Sequence, residues 1–197
     1  MSTQPAPAMR MTADEFIDWD GGGHQGKLEL VHGEVRAMSP ASGTHALIQA
    51  TVAHLIRTHL QARRLPCRVG TEAPVRPRIL TKSNVRAPDI AVTCLPPTAN
   101  ERFFPDPVLI IEVLSPSNQR ETYESISACA TIPTLAEVAV IDSERVAAKV
   151  FRKSETDGWP LDGEVIGPGD VLRLDSIGFA VPLAELYADT HLRQEGA

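Results

Sequence analysis

Two segments of this chain, residues 87–94 and 108–115, have the composition of β-strands buried on both faces. Near-continuous runs of β-branched and aliphatic residues are typical of such strands, yet Asp89 lies in the first segment and Glu112 in the second. An ionised carboxylate in apolar surroundings costs several kcal/mol unless it is paired with a cation or hydrogen-bonded. Any fold of this chain must therefore bring a partner to each of the two acids.

The rest of the sequence predicts helices around these strands. Thr12 and Glu15 have the spacing of a capping box and predict a short helix, and His32-Gly33 predicts the turn of a β-hairpin. Apolar residues at helical spacing predict a long helix over 44–63. The predicted elements, in order, are that short helix, hairpin strands at 27–31 and 34–38, the long helix, strands at 67–73, 75–80, 87–94 and 108–115, a helix at 120–130, strands at 137–142 and 147–152, an apolar run at 171–174 and a helical turn at 182–187. This order predicts an α/β (α+β) fold with a mixed central sheet flanked by helices.

A chain of 197 residues is long enough for one domain with a substantial core. We expect that domain over residues 11–190, after a disordered tail at 1–10 and before a flexible tail at 191–197. The longest apolar run has four residues, 108–111, far below the ~20 needed to span a membrane. The N-terminal residues also lack the hydrophobic segment of a secretory signal. We therefore expect a cytoplasmic protein with no membrane partner.

Charge and cysteine content limit the possible functions. The net charge of −6 opposes tight, nonspecific binding of nucleic acid by a monomer. A bound divalent cation or a local arginine cluster would offset that average. Cys67, Cys94 and Cys129 lie far apart without a CxxC pair, so we expect reduced cysteines and no zinc site.

The two acids suggest a metal site if their strands are neighbours. Side chains alternate along a strand, so Ile110, Glu112 and Leu114 share one face. Carboxylate oxygens suit Mg²⁺ or Mn²⁺, which commonly take one or two carboxylates and retain several waters. In the alternative, Asp89 accepts hydrogen bonds at a turn and Glu112 pairs with an arginine, such as Arg86 or Arg120.

Around these residues the chain resembles the Uma2 family of restriction-endonuclease-like proteins. The resemblance extends from about residue 11 to 187 and consists of LELVHGEV at 28–35, MSP at 38–40, RAPDIAV at 86–92, IEVLSPS at 111–117 and IPTLAE at 132–137. It implies the restriction-endonuclease fold with the PD-(D/E)XK signature and a metal-dependent endonuclease activity on nucleic acid. It also implies that Asp89, Glu112 and the carbonyl of Val113 bind the metal ion.

The chain lacks the lysine of the signature. That lysine belongs two residues after the glutamate, where its ammonium would orient the attacking water or stabilise phosphate charge, but position 114 is Leu. Family members carry a lysine on the following helix, and Ser125 occupies the matching position here. Arg120 is the nearest cation in sequence and would clamp a phosphate, although a guanidinium is a poor proton acceptor. Catalysis without a lysine and loss of activity both stay open.

Two further residues are candidates for the site. Glu72 would add a third carboxylate, with exposure to solvent as its alternative, and His45 would approach the site or bond the preceding loop.

Two functions follow from these observations. One is a metal-dependent endonuclease, and the other is a catalytically inactive protein of the same fold that binds a partner, in either case as a homodimer.

Overall fold

The computed structural model describes residues 9–195. The predicted disordered tail at 1–10 falls mostly outside these residues, but Arg10 pairs with Glu34 at 2.6 Å. Helix α1 (Ala13–Asp18) begins with the predicted capping box, in which the Thr12 hydroxyl and the Glu15 carboxylate each accept from the other residue's backbone N–H. In the described part of the chain, no helix combines the length and apolar composition needed to cross a membrane.

A six-stranded mixed sheet forms the centre of the fold, which confirms the predicted class. Its strands lie in the order β3-β4-β5-β6-β7-β8, and every neighbouring pair is antiparallel except β5 and β6. The crossover between these two parallel strands is α3 (Gln119–Cys129). The sheet strands are β3 (Arg68–Thr71), β4 (Ile90–Thr93), β5 (Leu109–Leu114), β6 (Glu137–Asp142), β7 (Ala148–Arg152) and β8 (Glu164–Ile166).

The predicted hairpin is also present, as β1 (Leu28–Val31) and β2 (Glu34–Ala37). Leu30 of β1 exchanges backbone hydrogen bonds with Val85, which attaches the hairpin to the segment leading into β4. A second hairpin, β9 (Val171–Leu174) and β10 (Phe179–Pro182), lies near the C-terminus.

Helices cover both faces of the sheet. Helix α2 (Gly43–Ala62) packs its buried apolar stripe, Ile48 to Leu60, in the same core as Ile111 and Val113 of β5. Ile110 belongs to the core on the opposite face, together with Cys129 at the end of α3. The predicted alternation along β5 is confirmed, and it puts Glu112 on the same face as Ile110.

Three sequence predictions differ from the structure. Residues 75–80 do not form a strand, because only Val75 pairs, through an isolated bridge to Arg86. Strand β8 lies in a Gly/Pro-rich stretch where we predicted none. In the expected flexible tail at 191–197, the described residues His191–Glu195 form a 3-10 helix with Leu192 buried, and residues 196–197 lie outside the described part of the chain.

The expectation of reduced cysteines is wrong for two of the three. The register of β3 and β4 pairs Arg68 with Thr93, so Cys67 and Cys94 stand opposite each other one step further along. They form a disulfide with their Cα atoms 3.8 Å apart. Cys129 is free and fully buried, and burial raises the pKa of its thiol, which leaves it unreactive.

A thiol titration tests this pairing. Protein prepared without reductant and then denatured should expose one reactive thiol per chain, and three after reduction. Replacing both Cys67 and Cys94 by serine should lower the free energy of unfolding by about 3 kcal/mol, since the bridge closes a loop of moderate length. The matched variant Cys129→Ser should show no thiol before reduction. Three thiols in unreduced wild-type protein would exclude the disulfide.

Candidate active site

The pairing of β4 with β5 brings the two acids together. Ile90 stands opposite Ile111 in the antiparallel register, so the next position sets Asp89 opposite Glu112. The backbone N–H of Asp89 donates to Oε2 of Glu112 at 3.3 Å. The strands are therefore neighbours, as the metal hypothesis requires, and the two acids stand next to each other, although Asp89 lines the adjacent cavity and Glu112 does not.

The Asp89 carboxylate is held by three donors from three parts of the chain. The Val113 backbone N–H donates to Oδ2 at 2.8 Å, His45 Nε2 lies 3.3 Å from the same oxygen, and Lys27 Nζ donates to Oδ1 at 3.0 Å. Burial alone would raise the pKa of Asp89, but the His45 hydrogen bond and the Lys27 charge outweigh it and hold the pKa well below its usual range. Asp89 is therefore ionised.

The pKa of Glu112 shifts in the opposite direction from that of Asp89. It is buried, and burial together with the negative charge of Asp89 raises the pKa of its carboxyl well above the ordinary value. The Lys27 charge and the hydrogen bond from Asp89 offset only part of this effect. Without a further cation, the two facing acids favour a state with a single negative charge.

Lys27 is the residue that sequence analysis missed. It precedes β1 and is 62 positions from Asp89, and its side chain is only 18% exposed. Burial alone would lower the pKa of its ammonium, but the charges of Glu112, Asp89 and Glu29 together raise it. The site therefore contains a permanently charged lysine, although none occupies the positions that the signature or the family would use.

A second buried ion pair lies beside the first. Glu29 accepts from Arg86 Nη1 at 3.3 Å and from the Ala87 backbone N–H at 3.0 Å, and both side chains are about 4% exposed. Arg86 was a candidate partner of Glu112, but it pairs with Glu29 instead. The only available sequence signal for Glu29 was its place in the resemblance to the family.

Asp89 opens onto a cavity of about 330 Å³. Lys27, His45 and Glu72 line it, so two of the further candidates lie at its wall. Glu72 is exposed, and its backbone N–H donates to the Asp89 carbonyl at 3.2 Å. Ser115, Ser117 and Asn118, which link β5 to α3, complete the polar part of the lining.

The remaining predicted residues lie elsewhere. Arg120 is on α3, 80% exposed, beside Glu121 and Glu124, and it does not line the Asp89 cavity. Ser125 is buried on α3 with no hydrogen-bond partner for its hydroxyl among the described residues. Leu114 is half-buried at the end of β5. None of the three supplies a cation to the acid pair.

The donor set has the chemistry of a hard-cation site but only a small number of side chains. Within residues 9–195, no group of three or more His, Cys, Asp or Glu side chains is arranged to hold a metal ion. Two carboxylates still suit Mg²⁺ or Mn²⁺, which complete their coordination with water and backbone oxygen. A metal ion would have to compete with Lys27 and His45 for Asp89, since both carboxylate oxygens already have partners.

Removing Lys27 tests whether it neutralises the acids. Lys27→Met should lower the free energy of unfolding by about 3 kcal/mol in the presence of a chelator, because it leaves Asp89 and Glu112 without their nearest cation. Lys82→Met, at an exposed position, should change stability by less than about 0.5 kcal/mol. Denaturant unfolding of Lys27→Met, Asp89→Asn and the double variant should give a coupling energy of about 1 kcal/mol or more. Equal stability of Lys27→Met and wild type would exclude this role.

Comparisons with known proteins agree with the fold and the motifs. The chain is 27% identical over 186 residues to uncharacterized protein slr1290 of Synechocystis sp.. This match covers 92% of this chain and 94% of the relative. The structure of this chain matches the crystal structure of "a putative nuclease belonging to DUF820" from Anabaena variabilis with a TM-score of 0.73 and 21% identity. The match covers 90% of this chain and 98% of that one. The Uma2 family model, described as "Putative restriction endonuclease", matches residues 13–184. The chain belongs to the Uma2 family.

Proposed function

We propose that this protein is a metal-dependent nuclease that hydrolyses phosphodiester bonds in the cavity beside Asp89. The observation that carries the proposal is the pairing of Asp89 with Glu112 across two buried strands, beside a charged lysine. A buried pair of acids is costly for stability alone and is typical of sites that bind cations. Membership of the Uma2 family supports the same activity.

Asp89, Glu112 and the carbonyl of Val113 are the proposed ligands of Mg²⁺ or Mn²⁺. When bound, such an ion supplies a Lewis acid for the phosphate and lowers the pKa of water. The Val113 N–H and His45 fix the orientation of the Asp89 carboxylate. This preorganisation is of the kind that a precise site requires.

Lys27 is the proposed replacement for the missing signature lysine. Its ammonium lies 3.0 Å from Asp89 and lines the same cavity. A fixed positive charge there would stabilise the negative charge that develops on a phosphate in the transition state. Because the surrounding acids keep Lys27 protonated, we propose electrostatic stabilisation rather than proton abstraction.

Cleavage assays test this function directly. Purified protein should cut plasmid, single-stranded DNA or RNA in the presence of Mg²⁺ or Mn²⁺, and a chelator should stop the reaction. Asp89→Asn, Glu112→Gln and Lys27→Met should each lower the rate by about a hundredfold or more, whereas Glu144→Gln, on an exposed turn, should leave it unchanged. Cleavage that persists in Asp89→Asn would come from a contaminant and would refute the proposal.

A specific observation favours an alternative, a catalytically inactive protein of this fold that binds a partner as a homodimer. Leu114 and Ser125 occupy the two positions where a catalytic lysine belongs, and both Asp89 oxygens have protein donors. Calorimetric titration with Mn²⁺ separates the two functions. Heat of binding that disappears in Asp89→Asn favours the nuclease, and no metal affinity favours the inactive protein.

A further inference from the structure

A second cavity, of about 660 Å³, lies between the β1–β2 hairpin and α3. Residues of the β1–β2 hairpin line one side of it, including His32 and Arg36, and residues of α3 line the other, including Arg120 and Tyr123. Residues that flank the same elements line the Asp89 cavity, with Lys27 directly before β1 and Asn118 directly before α3. We call this second cavity the hairpin–helix groove.

The groove gathers several arginines in a chain with a net charge of −6. Three arginines line it, Arg36, Arg86 and Arg120, with Glu124 as the acidic residue among its lining side chains. Glu124 is 3.8 Å from both Arg36 and Arg120, so one carboxylate is shared by two guanidinium groups at long distance. Arg36 is 46% exposed and Arg120 is 80% exposed, which leaves most of their donors free for an anion.

Arg86, which also lines the groove, has a guanidinium donor that the described residues leave unsatisfied. It is 4% exposed, and its pairing with Glu29 uses Nη1 at 3.3 Å. Its buried Nε has no hydrogen-bond partner among the described residues. An unsatisfied buried donor is unfavourable, and guanidinium groups bind phosphate oxygens with several donors in a fixed geometry.

The aromatic ring in the groove indicates what kind of phosphate compound fits. Tyr123 is half-buried on α3, one turn after Arg120. Aromatic rings beside arginines form stacking platforms for the unpaired bases of single strands, while the arginines contact the backbone.

We propose that the hairpin–helix groove binds a single-stranded polynucleotide, with Arg36, Arg86 and Arg120 on phosphates and Tyr123 against a base. This inference rests on the proposed function, since it names the substrate class of the same site and the path by which a strand reaches it. It assigns Arg120 to substrate binding rather than to the chemical step.

Binding without turnover tests the groove separately from catalysis. The fluorescence anisotropy of a labelled single-stranded oligonucleotide is measured with wild-type protein in a chelator, over a range of salt concentrations. In Arg36→Gln/Arg120→Gln, affinity should fall by about tenfold or more, and the slope of log affinity against log salt should become shallower by about 1.4, since each phosphate contact on a single strand contributes about 0.7. Arg57→Gln/Arg63→Gln removes the same charge from exposed positions, one on α2 and one at its C-cap, and should have little effect.

Two single variants test the other parts of the groove. Tyr123→Ala should weaken binding by about tenfold and Tyr123→Phe should not, because stacking needs only the ring. Glu124→Gln should strengthen binding, because it removes the negative charge shared by the two arginines.

The outcomes separate the groove from the nuclease. Equal losses in the two double-arginine variants, no binding by wild type, or equal affinity for a duplex of the same sequence would overturn the groove proposal. Groove-dependent binding without cleavage under any metal condition would support the groove and refute the nuclease. Cleavage that is insensitive to the groove variants would leave the nuclease intact and remove the groove.

Discussion

The interaction on which the rest of this structure depends is the compensation of three buried acidic side chains, Asp89, Glu112 and Glu29, inside an otherwise apolar fold. Two cations, Lys27 and Arg86, perform it, together with His45 and backbone N–H groups. Each uncompensated charge would cost several kcal/mol, so the sheet and the β1–β2 hairpin stabilise each other. The sheet supplies Asp89 and Glu112, and the hairpin supplies the lysine that makes them tolerable. Formation of the candidate site and docking of the hairpin are therefore one event.

This dependence explains which parts of the site the sequence could predict. Asp89 and Glu112 are conspicuous because carboxylates are unfavourable in strands buried on both faces, and the local composition shows this directly. Lys27 precedes a short hairpin and Glu29 lies in its first strand, where charged residues normally face solvent, so nothing local distinguishes them. Their burial follows from the bridge between Leu30 and Val85, a tertiary contact between residues far apart in the chain. The disulfide could not be predicted for the same reason, because only the pairing of β3 with β4 sets Cys67 opposite Cys94. The strand predicted at residues 75–80 is absent for the opposite reason. Its composition is typical of a strand, but composition alone does not supply a neighbouring strand to pair with.

The position of Lys27 also changes the meaning of the missing signature lysine. An ammonium acts through its distance from the carboxylates and the cavity, not through its place in the sequence. Leu114 on β5 and Ser125 on α3 are uncharged, and the Lys27 ammonium reaches Asp89 from the hairpin. The uncharged residues at both positions are therefore consistent with a single cation supplied from elsewhere.

The hairpin links this charge balance to the surface. Lys27 stands before β1 and faces the acids, whereas Arg36 of β2 lines the groove shared with α3. One two-stranded element thus contributes a buried cation to the site and an exposed cation to the surface beside it. In a protein with an overall negative charge, long-range attraction cannot bring a polyanion to the molecule as a whole. Local attraction has to come from a concentrated cluster of cations, and the three arginines that line the hairpin–helix groove are such a cluster. The positions of both cations therefore depend on the geometry of the same hairpin.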